Sequence, residues 1–229
     1  MNIITSTITT SKQTKMNLNE AVIYQIYLPS FVSKDDSESY FSQLRSKLPY
    51  LVSLGINTIQ LFPVERINCD NVVGNCWNFT SIQYPGILHP HYGSMDEFRE
   101  LVSLCHEVGI RVLLEVNWVF ADKTSMFYDY ECDATWGPYF STFYAATVFE
   151  NHKLGFSSLK QTRNYIWKIL SKWRNEIGID GVVWQYSNCL FYSGSSCLMN
   201  IGSIDGDAVR MIRQFVEDSD YLHVDCYCC

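Results

Sequence analysis

The 229-residue chain has no apolar run of the about 20 residues needed to cross a bilayer, which excludes a helical membrane span. Met1–Lys15 is rich in Thr and Ser and lacks the apolar stretch of a secretory signal; residues 1–20 are expected to be a disordered leader. Basic residues are scarce, with 17 Lys and Arg against 24 Asp and Glu, a formal net charge of −7. That balance argues against nucleic acid and suits a neutral partner, such as a sugar or another protein. No Gly-x-Gly-x-x-Gly follows the first predicted strand, and no phosphate-binding loop is present, so no cofactor is expected. Cysteine is not scarce, but its number, nine, is odd, and no signal precedes it. Reduced thiols in a cytoplasmic protein are therefore expected. Cys226, Cys228 and Cys229 crowd together, but zinc would need a second ligand pair, which His89 and His91 do not supply; no metal is expected.

The composition is 47% hydrophobic and 18% charged, enough apolar material for a real core. One unit recurs three times: an amphipathic helix, a Gly-Ile junction, then an apolar strand. The junctions are Leu54-Gly55-Ile56, Val108-Gly109-Ile110 and Ile177-Gly178-Ile179. Glycine just past a helix takes the left-handed cap cheaply. The strands that follow are predicted at 57–63, 111–116 and 181–186, with an earlier one at 22–28 and a fifth at 221–227. They are nearly continuous apolar runs, as parallel strands covered on both faces are. Ser94-Met95-Asp96-Glu97 is a capping box opening a helix, and Leu159 to Trp173 make the stripe of another, with Ser158 as its cap. Residues 40–54 are helical but carry Pro49, so the helix either kinks or restarts there. A further helix is expected at 207–217.

Alternating strands and helices imply an α/β chain with a parallel sheet. A partial TIM-type barrel of about five strands fits better than a dinucleotide-binding fold. The incomplete barrel spans 21–229, with two open edges and an uncovered interior that invite self-association or a partner chain. The loops after strands two and three, about 64–93 and 117–158, lie where barrel enzymes place their sites. Eleven aromatics fall in the 32 positions from Trp118 to Phe149, against 15% overall. They suit either stacking on sugar rings or the small core of an inserted subdomain.

Three segments, AVIYQIYLPSF at 21–31, KLPYLVSLGINTIQLFPV at 47–64 and YGSMDEFRELVSLCHEVGIRVLLEV at 92–116, resemble the first three barrel strands of the α-amylase superfamily, glycoside hydrolase family 13. They are most similar to 1,4-α-glucan branching enzymes and maltooligosyl trehalose trehalohydrolases. Trp77-Asn78-Phe79 resembles that group's Trp-Gly-Tyr, and Thr135-Trp136-Gly137-Pro138 resembles its Trp-Gly segment before the fourth strand. Residues 178–185, GIDGVVWQ, resemble its fourth-strand motif Asp-Gly-(Phe/Leu)-Arg-x-Asp. The resemblance implies a retaining mechanism with two carboxyl groups about 5–5.5 Å apart: an Asp nucleophile ending strand four, an acid/base Glu ending strand five.

At each of the implied positions this chain differs. Gln185 stands at the nucleophile and Val183 at the Arg that would hold it ionised. Phe120 stands at a sugar-contacting His, Glu115 at an Asp, and Phe79 at a stacking Tyr. The strand-five acid falls at Cys226, or at Asp225 if the register shifts by one. The chain is therefore expected to be a catalytically inactive branching-enzyme-like protein of α-glucan metabolism, at most glucan-binding through Trp77, Phe79, Trp118 and Trp136. The alternatives are an active divergent hydrolase or transferase, and a fragment or interaction protein whose barrel needs a partner. Glu65, Glu115 and Asp225 are further carboxylates near strand ends; Glu115 with Asp225 would be the replacement pair. Asp180 precedes its strand and is expected to cap or turn the chain at the far end of the barrel.

Overall fold

The computed structural model describes residues 20–32, 37–67, 82–116, 128–129, 134–135, 168–185, 192–193, 203–204, 210 and 222–226. Along the chain come β1 (Ile23–Ile26), α1 (Leu28–Phe31), α2 (Tyr40–Ser46), α3 (Leu48–Ser53), β2 (Thr58–Leu61), β3 (Glu65–Ile67), β4 (Ile82–Leu88), α4 (Met95–Glu107) and β5 (Arg111–Val116). Then follow β6 (Tyr128–Asp129), β7 (Ala134–Thr135), a helix at 168–172 that widens into a π-helical turn (Trp173–Ile177), β8 (Gly181–Gln185), β9 (Tyr192–Ser193), β10 (Ser203–Ile204) and β11 (Leu222–Cys226). Five strands form one sheet in the order β1-β2-β5-β8-β11, every pair parallel. This is the succession expected of a barrel arc. The antiparallel pairs β3–β4, β6–β7 and β9–β10 fall in the connections after β2, β5 and β8. The sequence pattern foresaw long loops there, not hairpins.

The junction glycines behave as their position predicts: Gly55, Gly109 and Gly178 have φ of 73°, 78° and 88°. That conformation is costly for any residue with a Cβ. Pro49 restarts the helix rather than kinking it, sitting in the first turn of α3 where its missing N–H costs nothing. Pro29 does the same in α1, which is why β1 stops at Ile26. Ser94 and Glu97 form both halves of the capping box on α4. Ser39, the N-cap of α2, also donates its hydroxyl to Glu97, so the two helix starts are tied together. The expected helix at 207–217 and the cap at Ser158 lie outside the described residues, Arg210 excepted.

The two faces of the sheet are different in kind. One is covered by helices: Ile26, Ile59, Leu61, Val112, Leu114, Val116, Val182 and Trp184 pack in one cluster with Phe41, Leu44, Leu51, Phe98, Leu101 and Trp173. Phe41 stacks on Phe98 at 4.5 Å, and Phe98 meets Trp173 edge to face at 6.0 Å. The opposite face carries Gln25, Gln60, Leu113, Glu115 and Val183. Sequence reasoning expects this interior to be uncovered. Instead Gln60, Leu113, Glu115 and Val183 are 0–4% exposed. Among the described residues the expectation holds at β1: Ile23 is 38% exposed, and Val22 just before it 53%. With β2 as its one partner in the sheet, β1 is an edge strand.

At the N-terminal ends of the strands, Asp180 joins three elements. Its carboxylate accepts from the Val112 backbone N–H at 2.7 Å and contacts His106 Nε2 at 2.8 Å, while its own N–H donates to the Val112 carbonyl. The residue that best matches the family motif thus ties α4 and β5 to the start of β8.

Candidate functional site

Glu115 is the fifth of six residues in β5 and lies on the face away from the helices. Gln60 on β2 donates from Nε2 to Glu115 Oε2 at 2.7 Å, and its Oε1 accepts from Gln25 Nε2 of β1 at 3.3 Å. The second bond fixes which end of the Gln60 amide points at the carboxylate. On the other side the register partner of Glu115 is Val183 of β8, 2% exposed and apolar. The position where the resemblance implies a guanidinium therefore offers the neighbouring carboxylate no charge.

Between β8 and β11 the register pairs Val183 with Val224, Trp184 with Asp225 and Gln185 with Cys226. Successive residues of a strand face opposite sides of the sheet. Cys226 is thus in step with Gln185, Val183 and Glu115, and Asp225 is one residue out of step.

Glu65, the third carboxylate, is 1% exposed and opens β3. Its Oε1 accepts from the Gly86 backbone N–H at 2.5 Å. A backbone amide thus holds it. Trp77, Phe79, Phe120, Trp118 and Trp136 lie outside the described residues, and of Gln185, Asp225 and Cys226 only the backbone is described. No group of three or more potential metal ligands occurs among the described residues. Nor is any helix among them long and apolar enough to cross a membrane.

A cluster that sequence reasoning did not assemble lies where β1 and β2 end. Tyr27 meets Phe62 edge on at 6.2 Å, and Tyr40 meets Tyr92 at 5.4 Å and stacks on His91 at 6.4 Å. His89 stacks on His91 at 5.3 Å, and its Nδ1 accepts from the His91 backbone N–H at 3.3 Å. Burial, then the neighbouring His91 and Arg66, lower the His89 pKa to about 4, so the ring is neutral at pH 7. Burial first, then Tyr40, raises the Tyr27 phenol, and burial with Tyr27 and Tyr40 raises that of Tyr92. All three stay uncharged, as hydrogen-bonding and stacking groups for a neutral ligand would. The signal was the run His89-Pro90-His91-Tyr92, weighed at the sequence level only for zinc.

Comparison with known proteins agrees with this architecture. Residues 25–132 match the family model described as the α-amylase catalytic domain. A malto-oligosyltrehalose trehalohydrolase of Saccharolobus solfataricus is 27% identical over 169 residues, covering 73% of this chain and 27% of that protein. A 1,4-α-glucan branching enzyme of Pseudomonas aeruginosa is 31% identical over 100 residues, covering 42% of this chain and 12% of that one. The chain thus spans about a quarter or less of the length of these curated relatives. Among solved structures, a noncanonic maltogenic α-amylase from Thermotoga neapolitana superposes with a TM-score of 0.65 at 15% identity, over 92% of this chain and 46% of that one. An isomaltulose synthase mutant from Erwinia rhapontici gives 0.67 at 17%, over 90% and 44%. The stretch 25–132, with three of the five parallel strands, belongs to the α-amylase catalytic-domain family, the glycoside hydrolase family 13 superfamily, and the sheet as a whole is a partial α/β barrel of that fold.

Proposed function

We propose that this chain is a non-catalytic, branching-enzyme-like member of its superfamily that binds α-glucan in the cytoplasm. The observation that carries the proposal is the row Glu115–Val183. Double displacement needs an ionised nucleophile on β8 with a cation to hold it so. Here Val183 is apolar and buried, and the residue at the position where the resemblance implies the nucleophile is an amide, Gln185. Glu115 is buried and bonded to Gln60, an arrangement that fixes the carboxylate instead of freeing it to attack. Glucan binding is supported by the names of the relatives and by the aromatic residues Trp77, Phe79, Trp118 and Trp136 in the stretches of sequence that follow β2 and β5. The neutral cluster of Tyr27, Tyr40, His89 and Tyr92 adds uncharged stacking and hydrogen-bonding groups where β1 and β2 end.

Affinity electrophoresis through gels containing glycogen or amylopectin tests the binding half: retarded migration, relieved by soluble maltoheptaose, is expected. Unretarded migration removes it. An activated fluoroglucoside tests the other half: no protein-bound sugar is expected by intact mass. Labelling, or branching or hydrolysis abolished by Glu115→Ala, would establish the divergent enzyme instead. The exposed, uncharged edge of β1 supports a further element of the proposal, self-association through that strand.

A further inference from the structure

Gly86 stands out because both halves of its peptide environment are served by side chains from elsewhere in the chain. The β3–β4 ladder is irregular: Glu65 pairs with Leu88, Arg66 with Tyr84 and Ile67 with Ile82, with register shifts on both sides of Arg66. Residues 85–87 therefore bulge out of the ladder, and a bulged N–H has no strand partner. The Glu65 carboxylate takes that role, accepting from Gly86 N at 2.5 Å while itself 1% exposed. On the other side Lys172 donates from Nζ to the Gly86 carbonyl at 3.3 Å. Gly86 has φ of 77°, and a Cβ there would lie 3.2 Å from Ile169 Cγ2. Any other residue would be strained there and would press on the Ile169 side chain, which would have to give by a few tenths of an ångström.

We infer that Glu65 is a positioning residue: by holding Gly86 it docks the β3–β4 hairpin on the helix that leads into β8, and glucan affinity depends on that docking. The inference rests on the glucan-binding proposal, because the hairpin strands bracket the sequence positions Trp77 and Phe79 and follow β2 at the end of the sheet where the neutral cluster lies. It assigns Glu65 a task different from acid–base chemistry. A carboxyl group is suited to it, since its oxygen accepts from the backbone N–H that the ladder leaves over. The helix contributes the apolar seat, Ile169, and the cation, Lys172. The two partners of the contact are separated by 86 residues, so the chain's connectivity alone does not hold them together.

Hydrogen exchange, read by mass spectrometry on the full chain, tests the docking separately from the glucan. Glu65→Leu is expected to speed exchange in β4 about tenfold or more while β2 and β5 keep their protection, because the opening is local. Glu65→Gln keeps the size and a carbonyl acceptor and is expected to stay within about threefold of the parent, where a role in charge balance alone would not be rescued. Lys172→Met, at a partly exposed site, gives a milder version, about threefold, should Glu65→Leu not fold. Unchanged β4 exchange in Glu65→Leu, or in Lys172→Met if the former does not fold, overturns the docking role. In glycogen gels Glu65→Leu is expected to lose about tenfold in affinity and Glu65→Gln little. Faster exchange with unchanged glycogen affinity overturns the link to binding. A parent chain that ignores glycogen refutes the proposed function, and with it that link, while the exchange data still decide whether Glu65 docks the hairpin.

Discussion

Replacing Asp180 by Ala should destabilise the fold through one identifiable orphan. The Asp180 carboxylate, 6% exposed as a side chain, accepts from Val112 N at 2.7 Å and from His106 Nε2 at 2.8 Å. Alanine leaves the Val112 N–H facing a space it cannot satisfy, at a cost of about 1–3 kcal/mol. Loss of the His106 contact, a quarter exposed, adds no more than about 1 kcal/mol after solvent screening. The sum is about 1–4 kcal/mol, a large part of the stability of an ordinary domain at its upper end. Asp180→Asn keeps an acceptor for Val112 and should lose about half as much. Urea unfolding followed by tryptophan fluorescence measures both. Glycogen affinity of the folded fraction should be unchanged in each variant, since the residue sits at the N-terminal ends of the strands. An Asp180→Ala variant within about 0.5 kcal/mol of the parent would refute the reasoning, as would one that keeps its stability and loses glucan binding.

Three further outcomes are expected. The His89 pKa is lowered in the fold, so its neutral form contributes stability that is fully present above the unfolded value of 6.5 and is lost as pH falls towards about 4. The 2.5-unit difference is worth at most about 3 kcal/mol, and His89→Gln should flatten the stability profile in that window; an unchanged profile refutes it. Cys105 is buried, and burial with the nearby Asp180 pushes its thiol up to about 12, so iodoacetamide at pH 8 should leave its peptide unmodified until denaturant is added. Ile23→Lys puts a charge on the exposed edge of β1 and should lower the sedimentation-derived mass of the chain towards 26.5 kDa; a parent already monomeric refutes self-association.

Much of the fold was legible because its signals are local. Gly55, Gly109 and Gly178 end helices by a backbone rule, Ser94 and Glu97 start one by a side-chain rule, and continuous apolar runs mark parallel strands within two residues or so of where they lie. The β3–β4 hairpin was not legible, because its irregular ladder is completed by Glu65 and by a helix 86 residues further on. Nor was the cluster of Tyr27, Tyr40, Phe62, His89, His91 and Tyr92, whose members come from four separate segments of the chain, with only the last three adjacent in sequence.

The sequence by itself determined the barrel-type α/β architecture, the family of the segment 25–132, and the identities Val183, Gln185 and Cys226 at the positions where the family's chemistry would sit. Tertiary structure alone decided what the remaining carboxylates do. Glu115 meets Gln60, Glu65 meets Gly86, and Asp180 meets Val112 and His106. It also decided that Cys226, not Asp225, is in step with Gln185. The reason is physical: residue type sets what a side chain is able to do, but strand register and burial set which partner it finds, and those are properties of the whole sheet.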